Sequence, residues 1–72
     1  MSNTVNNIFN FMREFARSHS YIRCEIEFKN MGCFLYFLNE EKGKRVRLFW
    51  RYDDLLKDTN KIISHLRDEG VI

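Results

Sequence analysis

Apolar and polar positions change period along this chain, and each change marks an element. Val5, Ile8, Phe9, Met12, Phe15 and Ala16 recur at three- and four-residue spacing, which predicts a helix over about 4–18 with Phe11 off the buried stripe. Asn3 or Thr4 would cap its start, and Ser18-His19-Ser20 would end it with Arg17 near the negative pole. From Tyr21 the period becomes two. Ile22, Cys24, Ile26 and Phe28 alternate with Arg23, Glu25, Glu27 and Lys29, giving a strand over about 21–29 with one apolar and one charged side. A second strand over about 33–40 is apolar at nearly every position, as a central strand should be. In the third, over about 44–52, Val46, Leu48, Trp50 and Tyr52 alternate with Arg45, Arg47, Phe49 and Arg51. Asp53 would cap a last helix over about 54–69, with Leu55, Leu56, Thr59, Ile62, Ile63 and Leu66 on its buried stripe and Gly70 as its stop. Val71 and Ile72 would fold back over that end.

The fold class that follows is α+β, in the order helix, three-stranded antiparallel meander, helix, over residues 1–72 as one domain. Three-residue turns closing on Gly32 and Gly43 would set the register. Phe28 would then face Phe34, Ile26 would face Tyr36, and Cys24 would face Leu38. Across the second turn Phe34, Tyr36 and Leu38 would meet Trp50, Leu48 and Val46. The opposite side would hold Cys33, Leu35, Phe37 and Phe49, bordered by Arg47, Arg51, Glu25, Glu27 and Lys29. A turn of two or four residues would swap the two sets of the middle strand.

Composition suits a dense small core. Seven Phe, three Tyr and one Trp make 15% of the 72 residues aromatic, and each large apolar side chain fully buried stabilises by about 1.5–3 kcal/mol. There is no Pro and no low-complexity tract, which argues against disorder. Twelve Lys and Arg against ten Asp and Glu give +2, too little for non-specific coating of nucleic acid. No apolar run reaches the ~18 residues that span a bilayer. The opening Met-Ser-Asn-Thr has neither the charged nor the apolar part of a secretion signal, and two cysteines fit a reducing intracellular setting.

Catalytic chemistry is thinly represented. Glu25 and Glu27 share a strand side without a cleft, and His65 lies among Ser64, Arg67 and Asp68 on a helix. Phosphate loops, nucleophile elbows and metalloprotease motifs are absent, so no enzyme, cofactor or small-molecule ligand is implied. His19, Cys24, Cys33 and His65 match no zinc spacing. The register above puts the two cysteines on opposite sides of the sheet, which argues against a disulfide. The element order is shared with double-stranded RNA-binding domains. Where those place lysines on phosphates, this chain reads Asp53-Asp54-Leu55-Leu56-Lys57, so no membership is assigned.

The leading expectation is a small protein-binding module, of inhibitor, adaptor or accessory-factor type. Its size and shape are analogous to factors carried by mobile genetic elements. Its site would comprise Leu35, Phe37 and Phe49 as apolar anchors with Arg47 and Arg51 for orientation, and its partner would be another protein or a second copy. The alternative is nucleic-acid binding through Lys42, Lys44, Arg45, Arg47 and Arg51. Both depend on whether a helix covers the outer side of the sheet, and two helices allow either arrangement.

Overall fold

A computed structural model describes residues 2–52 and 59–72, with side chains from residue 6 onward in the first helix. The order is α1 (Ser2–Ser18), β1 (Arg23–Phe28), β2 (Gly32–Asn39), β3 (Lys44–Arg51) and α2 (Asn60–Asp68), with the antiparallel sheet ordered β1-β2-β3. This is the α+β meander that the change of period predicts. Helix α1 starts before Asn3 and Thr4, so neither caps it. Asp53, Leu55 and Leu56 fall outside the described residues.

The register differs from expectation by one residue. Phe28 pairs with Cys33, Ile26 with Leu35 and Cys24 with Phe37, while Leu35 pairs with Leu48 and Phe37 with Val46. Both turns put four residues between the flanking pairs, 29–32 and 40–43. In the first, Lys29 N–H donates to Gly32 O at 2.8 Å, and Gly32 has no left-handed φ, so the glycine is not the turn residue assumed. In the second, Gly43 does take the left-handed conformation, at φ 65°, as the last of four residues. One residue of extra loop turns every side chain of β2 over.

Cys33, Leu35 and Phe37 therefore face the helices, with Ile26 and Cys24 beside them on β1 and Val46, Leu48 and Trp50 on β3. Leu35 and Phe37 are 0% and 1% exposed. Ile8, Met12 and Phe15 of α1 and Ile62 and Leu66 of α2 close over them in one cluster, so both helices share a side and the molecule has two layers. The stripe of α1 is rotated from the expected one. Phe11 packs against the core, whereas Phe9 and Ala16 are exposed. Aromatic contacts explain the rotation: Phe11 lies 6.0 Å from Phe15, which meets Phe37 edge-on at 5.2 Å and stacks on His19 at 4.2 Å. Trp50 buries its indole N–H with no acceptor among the described residues.

The C-terminal residues lock the layers together. Gly70 is left-handed at φ 81°, letting Val71 N–H reach Leu66 O at 2.9 Å and Gly70 N–H reach Arg67 O at 3.1 Å. These two bonds stop α2 and turn Val71 into the core at 0% exposure. Asn39, the one buried polar side chain among the described residues, holds this turn from below. Its Nδ2 donates to Val71 O at 2.9 Å, and its Oδ1 accepts from Lys42 N–H at 3.1 Å. Replacing Asn39 by Ala strands both backbone groups and should cost about 1–3 kcal/mol. Urea unfolding would read the loss, and faster amide exchange at Lys42 would assign part of it to the turn.

Candidate functional site: the open face of the sheet

With both helices on one side, no described residue covers the other. The strand pairing arranges that side in rows. Arg23, Leu38 and Arg45 form one; Glu25, Tyr36 and Arg47 the next; Glu27, Phe34 and Phe49 the third; and Gly32 beside Arg51 completes it. An apolar column on β2 thus runs between a mixed-charge column on β1 and a cationic column on β3. Phe34, Tyr36 and Leu38 are half-buried by neighbours in the sheet, and Phe49 is 46% exposed.

Two clusters hold this face in shape. Phe49 meets Phe34 edge-on at 5.0 Å, and the Arg47 guanidinium sits 5.1 Å above the Phe34 ring. The Phe49 ring is fixed from below by Gly32. A methyl group there would come within 2.8 Å of Phe49 Cζ and 2.9 Å of Arg51 Cα, and would also strike the Trp50 carbonyl oxygen. Gly32 is a glycine because a neighbouring strand and its aromatic ring occupy the space of a side chain. Gly32→Ala should therefore destabilise by about 1–3 kcal/mol, measured by thermal or urea melts, and move the Phe49 ring resonances.

The second cluster centres on Glu27. Tyr36 Oη donates to its Oε1 at 2.8 Å, and Lys29 Nζ lies 3.0 Å from its Oε2. The Tyr36 hydroxyl, then the Lys29 ammonium, hold the Glu27 carboxyl below its ordinary value of 4.5. The same bond raises the Tyr36 phenol above its ordinary 10.0. Glu27 consequently stabilises the fold fully above its unfolded value, a contribution lost as pH falls through the lower folded one. The Tyr36 contribution is present below pH 10 and is lost as pH climbs through the raised value. In a carboxyl NMR titration the Glu27 midpoint should lie below 4.5, and Tyr36→Phe should return it upward.

Two charges on this face are uncommitted. Glu25 and Arg45 have no ion-pair partner among the described residues, and Arg23 reaches only Glu40, at 3.5 Å with both side chains 64% exposed. Such a pair contributes little in water. Arg23, Glu25, Tyr36, Leu38 and Arg45 surround an open hollow of about 230 Å³.

The predicted site residues divide between the two sides of the sheet. Phe49, Arg47 and Arg51 lie on the open face. Leu35 and Phe37 do not: the register shift seals them under the helices, and Phe34 and Tyr36 stand in their place. Of the cationic set, Arg45, Arg47 and Arg51 share the face, whereas Lys42 sits in the 40–43 turn. Lys44 pairs with Asn39, pointing to the helix side, and its Cε lies 3.8 Å from where a Gly70 side chain would begin. Cys33 joins Cys24 on the inner side, correcting the expectation that it faces out. The two remain free thiols because their rows are about 14 Å apart along the ladder. Burial pushes the Cys24 thiol up to about 11 and raises Cys33, so both are poor nucleophiles. Among the described residues no group of three His, Cys, Asp or Glu side chains converges. No helix among them is long and apolar enough to cross a membrane.

Sequence reasoning missed Phe34, Tyr36 and Leu38 as members of the face, and it placed Arg23 on the charged side of β1 without naming it a site residue. The usable signal was Asn39. A polar residue at the last position of β2, four before Gly43, marks a four-residue loop and hence the phase of the strand. Comparison with protein-family models, curated proteins and solved structures gave no significant match.

Proposed function

We propose that this chain is a non-enzymatic protein-binding module, of the inhibitor, adaptor or accessory-regulator kind, and that it docks through the open sheet face. The observation that carries this reading is the bare column of Phe34, Tyr36 and Leu38 with Phe49 beside it, flanked by arginines. Aromatics and Arg are the residues enriched at the centres of protein interfaces, and a small domain spends much of its aromatic content here. Arg47 stacked on Phe34 is already ordered, which lowers the entropy cost of using it. Two free thiols, Cys33 buried and Cys24 half-buried, suit a reducing, intracellular setting.

One observation favours nucleic acid as a second reading. Arg45, Arg47 and Arg51 share a face with Phe34, Tyr36 and Phe49, and bases stack on such rings while guanidinium groups meet phosphates. Glu25 and Glu27 on the same face oppose it.

Recovery of the tagged protein from its native host after nuclease treatment separates these readings. Protein binding predicts that a defined protein remains. Its affinity for the purified chain should then fall about tenfold or more for Phe49→Ala or Tyr36→Ala, with the fold retained. Leu35→Ala should instead lower stability by about 2–5 kcal/mol, because it empties the core. Loss of all but nucleic-acid fragments, with an affinity falling steeply with salt, would reject the proposal.

A further inference from the structure

The charges on the open face select among partners. A second copy is a poor fit. In face-to-face packing, a two-fold axis along the strands sets Arg23 of one copy over Arg45 of the other, cation on cation, and only the next row, Glu25 over Arg47, pairs opposite charges. An axis across the strands brings the β3 arginines of both copies together. Arg45 finds no carboxylate in either arrangement, and like charges brought together in an interface cost affinity. A nucleic-acid strand would match β3 but meet Glu25 and Glu27 on β1.

Resting on the protein-binding reading above, we infer that the partner is an acidic protein segment, and that one of its carboxylates docks over Leu38 between Arg23 and Arg45. Strands β1 and β3 are about 9.5 Å apart across β2, a span that two arginine side chains from opposite borders can close over one carboxylate. The hollow of about 230 Å³ lies at this place, floored by Leu38 and Tyr36 and bordered by Glu25 of the next row, so the carboxylate sits at the Arg23–Arg45 end. Arg45 is uncommitted, and Arg23 gives up only its exposed contact with Glu40. Guanidinium forks suit carboxylates, each fork able to make paired N–H···O bonds. The rest of the segment supplies apolar groups to Phe34 and Phe49, further carboxylates along β3, and a cation or hydrogen-bond donor opposite Glu25.

A random peptide library displayed on phage and selected on the intact protein tests this, with peptides that still bind Tyr36→Ala or Phe49→Ala discarded. The expected survivors carry Asp or Glu alternating with apolar residues. They should lose about tenfold or more in affinity with Arg45→Glu, weaken with salt, and shift the backbone amide signals of Arg23, Leu38 and Arg45. Arg45→Gln, which keeps the size without the charge, should give a smaller loss in the same direction, and circular dichroism of both variants checks the fold. Surviving peptides that are neutral or basic would overturn the acidic partner and leave the protein-binding reading standing. If no peptide depends on the face, or if an oligothymidylate binds there with a steep salt dependence, both fall.

Discussion

Burial of one side of β2 beneath both helices is the constraint from which the rest follows. Cys33, Leu35 and Phe37 touch α1, α2 or their strand neighbours and are closed to water. Each large side chain so buried contributes about 1.5–3 kcal/mol, a large share of the few kcal/mol that separate a small domain from its unfolded state. Helices divided between the two sides would make two thin cores, each with most of its apolar groups half-wet. Stacked on one side, they make one closed core with Val71 and Leu66 as its seal. The consequence is chemical as well as mechanical. A strand that is apolar on both sides has only one of them covered, so Phe34, Tyr36 and Leu38 are left facing out.

Much of this was legible in the residues. The period of two in β1 and β3 assigned the charged side of each correctly, since Glu25, Glu27, Arg45, Arg47 and Arg51 tolerate only the open face. Gly70 ends α2 and Val71 folds back, as the pattern implies. The phase of β2 was not legible from its own composition, because either set of its side chains could fill a core. Turn length alone decided it, and Gly32 misled. Its role is to admit the Phe49 ring and the β3 backbone, a cross-strand demand that local turn chemistry does not reveal. The stripe of α1 held at Ile8, Met12 and Phe15 but missed Phe11, which packs beside Phe15, the residue that meets Phe37 across the core.

The open face is not uniformly poised. Glu27 is satisfied by Tyr36 and Lys29, and Arg47 by the Phe34 ring, so these groups form a fixed frame with few alternative arrangements. Glu25 and Arg45 are exposed and take no part in it. The face thus combines packed rings with two charges, Glu25 and Arg45, that have no ion-pair partner among the described residues.

The edges of the sheet offer a rival mode of binding, and charge argues against it. Strands β1 and β3 both end the sheet, and a free edge is a template for an added strand. Along β3, Lys44, Arg45, Arg47 and Arg51 would set cations beside cations if a second β3 paired with it. Along β1, Arg23, Glu25, Glu27 and Lys29 fill the exposed alternate positions, so an added strand must match mixed charge on its open side. The residues that discourage edge pairing on β3 are those that make its face cationic. A single set of arginines thus disfavours the pairing of two β3 edges and makes the β3 side of the broad face cationic.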